Sequence, residues 1–88
     1  MADPKWDDLR VFLAVAREES LSGAGRLVQL DPATVGRRIA RLETDLATPL
    51  FQKSPRGYLL TQAGQRLLDR AAAMETAMRG LRDDISNT

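Results

Sequence analysis

The 88-residue chain predicts a mainly α-helical fold: three short helices, a β-hairpin and a long final helix. Three observations carry that prediction. Apolar residues recur at helical spacing in separate stretches, each preceded by a helix-start signal. The period breaks once, at LFQKSPRGYLL, into two β-prone runs around a turn. The length allows one domain with a modest core.

DPKWDDLRVFLAVAREE opens on Asp-Pro, where a carboxylate caps free amides and a proline at the first helical position loses nothing by lacking an N–H. Asp7 and Asp8 lie near the positive end of the helix dipole, and Leu9, Phe12, Leu13 and Ala16 follow at i, i+3, i+4, i+7. These place a first helix over roughly Pro4 to Glu18. In SLSGAGRLVQL, Ser22 is the expected cap of a short second helix, and Gly23, Ala24 and Gly25 let another helix approach closely. Its two glycines make it intrinsically weak, so packing must hold it. Gln29 and Leu30 alone separate Val28 from the next cap, Asp31, which is the tight connection of a helix-turn-helix.

LDPATVGRRIARLE repeats the Asp-Pro start. Val35, Ile39, Leu42 and Leu46 share a narrow apolar face, while the opposite side carries Ala33, Thr34, Arg37, Ala40, Arg41 and Thr44, with Arg38 on a flank and no carboxylate among them. Pro49 biases Thr48 away from helical geometry, which stops this helix near Ala47. Ser54-Pro55-Arg56-Gly57 has the preferences of a type I turn and predicts a two-stranded hairpin with a basic tip. Thr61 caps a last helix of about six turns. Along it Leu67, Ala71, Met74, Met78, Leu81 and Ile85 alternate spacings of four and three. That is a coiled-coil seam longer than the small core can cover, and it predicts a homodimer.

Composition removes whole classes of chemistry. With no cysteine and no histidine, thiol chemistry, a catalytic triad, a histidine general base and a zinc site are excluded, and no metal, cofactor or catalytic residue is expected. The adjacent pairs Asp7-Asp8 and Asp83-Asp84 do not make an acid-base site, because neighbouring helical carboxylates point about 100° apart. No apolar run approaches a membrane span and the N-terminus has no apolar h-region, so a cytoplasmic protein without a membrane partner is expected. Charge is unevenly placed. From Ser20 to Arg66 seven basic side chains face three acidic ones, a net +4, whereas the rest has six against nine, a net −3. A basic middle suggests a polyanion site there.

Helix, helix, short turn, helix, hairpin, long helix is the order of a winged helix-turn-helix, read here as residues 4–61, with a linker and dimerisation helix over 62–86. The pieces LRVFLAVAREESLSGAGRL, ATVGRRIARLE and TPLFQKSPRGYLLTQAG, with the helix after them, resemble the N-terminal DNA-binding domain of LysR-type transcriptional regulators. The resemblance implies a recognition helix over about 32–47 in the major groove of promoter or operator DNA. It also implies a wing over 53–58 on backbone or minor groove, and an antiparallel linker-helix dimer. By position, base-reaching sites then fall on Pro32, Ala33, Gly36 and Arg37, with Arg56 and Gly57 on the wing. Pro32 stands where a glutamine is usual and Gly36 where a serine is frequent, while Gly25 and Lys53 replace a usual alanine and arginine. Family members carry an effector domain after the linker helix, and a small-molecule effector is expected only with such a domain. The chain reads as a fragment or a truncated relative.

An arginine-bearing helix face is ordinarily solvated surface, but such a face mixes signs and gains from i, i+4 ion pairs. Arg37 and Arg41 are like charges four apart, which an anionic partner relieves. Arg37, one turn in, suits guanine O6 and N7, the Thr34 and Ala33 methyls suit a thymine methyl, and Pro32 offers van der Waals contact. Arg38 and Arg41 suit backbone phosphates, as do Ser22, Lys53 and Thr61, although helix capping also accounts for Ser22 and Thr61. Trp6 and Tyr58 are expected in packing. The alternative function is a helical dimerisation module with a basic face for an acidic protein, which has no use for a basic wing.

Overall fold

The computed structural model describes residues 1–87. Its elements run α1 (Trp6–Glu18), α2 (Leu21–Val28), α3 (Pro32–Leu46), β1 (Phe51–Ser54), β2 (Gly57–Leu60) and α4 (Gln62–Ser86). Helices therefore dominate, with one two-stranded sheet among the described residues.

The first helix starts later than the Asp-Pro signal suggests. Lys5 is its N-cap, extended and without a side-chain hydrogen bond, so Pro4 lies outside. The Ala2 amide donates to the Asp45 carbonyl at 2.7 Å, which draws the N-terminal segment across the end of α3 before the helix can begin. Leu9, Val11, Phe12 and Val15 then face the core, where they meet Ala24, Val35, Ile39, Leu42, Leu50 and Phe51. Fully burying a side chain such as Phe12 contributes about 1.5–3 kcal/mol. Phe12 and Phe51 lie 5.3 Å apart between ring centroids, and Tyr58 meets Phe51 edge-on at 5.9 Å. Trp6 and Tyr58 are packed against this core, as expected.

Ser20, not Ser22, caps α2: its Oγ accepts from the Gly23 amide at 2.9 Å. The reason is the abrupt end of α1. Glu19 turns left-handed (φ 57°), its amide closing on the Val15 carbonyl, so Ser20 is already the extended residue that a cap requires. Ser22 is left exposed in the first turn of α2. Gln29 ends α2 in the same left-handed geometry, and the Leu30 amide closes on the Gly25 carbonyl at 3.0 Å. A Cβ on Gly25 would run into the Leu30 carbonyl, so this glycine allows the tight turn. Asp31 caps α3 through the Thr34 amide at 2.9 Å, with Pro32 at the first position. Val35, Ile39 and Leu42 are buried and Leu46 half-buried.

The hairpin pairs Phe51 with Leu60, Gln52 with Leu59, Lys53 with Tyr58 and Ser54 with Gly57. Thr61 then caps α4, accepting from the Gly64 amide at 3.0 Å. The six-residue seam expected along α4 divides. Leu67 packs on the core and Ala71 is completely buried, so these two serve the chain's own interior rather than a partner. Met74, Met78, Leu81 and Ile85 are 44–65% exposed. Arg17 of α1 clasps Glu75 at 3.1 and 2.9 Å near where α4 leaves the body. This pair holds the Glu75 carboxyl below the usual carboxylate range, chiefly through the hydrogen bond, and the Arg17 guanidinium above its own.

Candidate nucleic-acid interface

The outward side of α3 is built from its N-cap upward. Asp31 takes two hydrogen bonds from Thr34, from the amide and from the hydroxyl, each at 2.9 Å. These bonds, the amide first, hold the Asp31 carboxyl below the usual range. With its proton used on Asp31, the Thr34 Oγ accepts from Arg37 Nη2 at 2.9 Å. Thr34 therefore aims Arg37 one turn up the helix, and it has its methyl but no proton left to offer a ligand. Pro32, Ala33 and Arg37 are exposed around it. Gly36 is half-buried, and a Cβ there would rest against the Leu21 side chain in ordinary contact at 3.4 Å.

The next arginines are not the unpartnered charges that the helical wheel of α3 suggests. Asp8 of α1, its side chain 0% exposed, accepts from Arg41 Nε at 2.8 Å and from Nη2 at 2.6 Å. Arg38 Nη1 lies 3.7 Å from the same carboxylate. The hydrogen bond to Asp8 raises the Arg41 guanidinium above its ordinary value. Asp8 therefore does more than complement the dipole of α1. It sits among Val11, Phe12 and Val15 on the buried stripe, at spacings of three, four and seven. A carboxylate on such a stripe needs a cation, and that was the available signal. Thr34, Arg37, Arg38 and Arg41 together line a shallow open cleft of about 260 Å³.

The other predicted positions lie on separate elements. Arg56 is exposed at the hairpin tip, where its amide donates to Ser54 Oγ at 3.1 Å. Gly57 has φ +119°, a conformation that favours glycine. Lys53 is exposed on β1 with its ammonium 5.8 Å from the Tyr58 ring centre. Thr61 is fully committed to structure: besides capping α4, its hydroxyl donates to the Pro49 carbonyl at 2.8 Å. It has no proton left for a phosphate. Among the described residues no three His, Cys, Asp or Glu side chains group as metal ligands, and no helix is long and apolar enough to cross a membrane.

Residues 6–65 match the family described as bacterial regulatory helix-turn-helix protein, lysR family. The chain is similar to the uncharacterized HTH-type transcriptional regulator y4mQ of Sinorhizobium fredii, at 41% identity over 80 residues, covering 90% of this chain and 27% of that protein. It is also similar to the HTH-type transcriptional activator TtdR of Escherichia coli, at 37% identity over 83 residues, covering 94% and 27%. It thus spans about a quarter of the length of these relatives. Among solved structures, a CbnR_DBD-DNA complex aligns with TM-score 0.80 and 30% identity over 96% of this chain and 99% of that one. A BenM_DBD complex with benA site 1 DNA aligns with TM-score 0.89 over 94% and 93%, and at 22% identity it shows the shared fold. Four helices with a hairpin wing, in this order and arrangement, and the match over residues 6–65 lead to one assignment: the chain belongs to the lysR family of bacterial regulatory helix-turn-helix proteins.

Proposed function

We propose that this chain binds double-stranded DNA sequence-specifically, as the DNA-binding part of a cytoplasmic transcriptional regulator that acts by binding and not by catalysis. The observation that carries the proposal is the cleft on α3, where Thr34 aims Arg37 and a buried Asp8 anchors Arg41 beside Arg38. Three guanidinium groups on one exposed helix face suit guanine edges and phosphates. The CbnR domain, crystallised with DNA, supports the same reading by similarity.

In this reading α3 enters the major groove. Pro32, Ala33, the Thr34 methyl, Gly36 and Arg37 face bases, and Arg38, Arg41, Lys53 and Ser22 face the backbone. Arg56 reaches from the wing to the backbone or minor groove. Residues 4–61 form the binding unit. Those over 62–86 form the linker helix, whose Met74, Met78, Leu81 and Ile85 take a second copy of the chain. A small-molecule effector enters this reading only if a further domain accompanies these residues.

The test is duplex binding across a salt series. Affinity for random duplex should fall steeply with salt, with log K linear in log salt, and promoter DNA should give a footprint. Affinity for acidic polypeptides with none for duplex would contradict the proposal.

A further inference from the structure

A carboxylate of α1 reaches the interface from behind. Asp8 has no exposed side-chain surface, yet both of its oxygens bond Arg41 of α3, and Arg38 stands 3.7 Å away. Removing a carboxylate from water is costly, and replacing a buried ion pair by apolar side chains is often neutral or stabilising. Folding stability is therefore a weak account of a charge here.

The bonding pattern indicates what the carboxylate supplies. Contact through Nε and Nη2 fixes the plane of the Arg41 guanidinium and leaves Nη1 outside the pair, with both of its N–H groups. The two arginine side chains remain open, Arg41 47% exposed and Arg38 32%, and both line the cleft that Arg37 shares. Arg41 is anchored at one edge and accessible at the other, while Arg38 lies within ion-pair distance of the same carboxylate.

We propose that Asp8 is a positioning residue of the DNA interface, holding the Arg41 guanidinium in the orientation in which it meets a backbone phosphate. The inference rests on the DNA-binding reading above. Its physical content is preorganisation: a long side chain that would otherwise be ordered on binding is already ordered in the free protein.

Positioning and simple charge have opposite signs here. Asp8 brings a negative charge toward a polyanion. If charge alone counted, Asp8→Asn would tighten duplex binding and steepen its salt dependence. If Asp8 holds Arg41, the same change weakens binding although the protein becomes more positive.

The experiment is a salt-series titration of random duplex with the 88-residue chain, Asp8→Asn, Arg41→Ala, Asp8→Asn/Arg41→Ala and Arg41→Lys, with a thermal melt of each. Asp8→Asn should lose about ten-fold in affinity at fixed salt and roughly one phosphate contact from the slope. The double variant should bind no more weakly than Arg41→Ala alone, because the two changes remove one interaction. Arg41→Lys keeps the charge at an exposed site but cannot make the bidentate bond, and should lose nearly as much as Arg41→Ala. Asp8→Asn binding as tightly as the wild type or more tightly would overturn the inference, as would Arg41→Lys at wild-type affinity. Should Asp8→Asn melt out, the two Arg41 variants decide. A wild type without salt-dependent duplex affinity would overturn the DNA-binding reading itself.

Discussion

The Tyr58 amide donates to the Glu19 carbonyl at 3.0 Å, tying the wing's return strand to the left-handed residue that ends α1. Gly57 lies beside this tie at φ +119°, and a Cβ on it would collide with the same Glu19 carbonyl oxygen. Gly57→Ala should therefore destabilise the fold by about 1–3 kcal/mol, through backbone strain and displacement of the hairpin. Urea unfolding measures it. An unchanged midpoint with an unchanged slope would show that the hairpin can move off Glu19 at no cost.

Arg56 projects from the Pro55-Arg56 link of the hairpin, exposed and clear of the core. Arg56→Ala should weaken binding to most duplexes alike and lower the salt slope by roughly one phosphate contact. A-T-rich flanks should be the exception, because an arginine in a narrow minor groove reads shape. Affinity and slope both equal to wild type would remove the wing from the interface.

Met74, Met78, Leu81 and Ile85 form an exposed apolar strip on α4. In a dimer this strip is covered, and Met74→Glu with Met78→Glu would force carboxylates into the contact. Sedimentation equilibrium should find the wild type dimeric at tens of micromolar and the double variant monomeric, with weaker DNA binding. Because Leu67 and Ala71 face the chain's own core, the double variant should keep its helical circular dichroism.

The Arg17–Glu75 clasp gives a pH dependence whose sign is set by the lowered Glu75 carboxyl. A group with a depressed folded pKa stabilises above its unfolded value, and that contribution disappears as pH falls through the folded one. Partly exposed pairs of this kind contribute about 0.2–1 kcal/mol. Wild type should melt above Glu75→Gln near neutral pH, and the difference should close as pH falls below the ordinary carboxylate range. A difference that persists at low pH would mean that Glu75 acts through packing.

The local signals in this sequence read well. Asp31 and Thr61 cap the helices that they precede, Ala47 ends α3, and Ser54 to Gly57 form the hairpin turn. What escaped depends on partners distant in the chain. Glu19, Gln29 and Ala47 all end helices in left-handed geometry without being glycine, so the ends were legible but the geometry that closes them was not. Ser20 rather than Ser22 caps α2 because α1 stops at Glu18, and two serines so close together are otherwise equivalent. Asp8 and Arg41 are separated by 33 residues, and a wheel drawn for α3 alone leaves the arginine without its acid. Spacing along α4 could not distinguish Ala71, which is covered by the chain itself, from Met74, which is not.

In vitro selection of bound duplexes tests the central claim most directly, run in parallel on the wild type and on Arg37→Ala. The account predicts an enriched motif of two related half-sites for the wild type, spaced by the dimer. For Arg37→Ala it predicts loss of preference at one base pair per half-site and about 1–3 kcal/mol weaker binding to the best site. Selected pools that show no enriched motif, or the same motif with undiminished information at every position after Arg37→Ala, would contradict it.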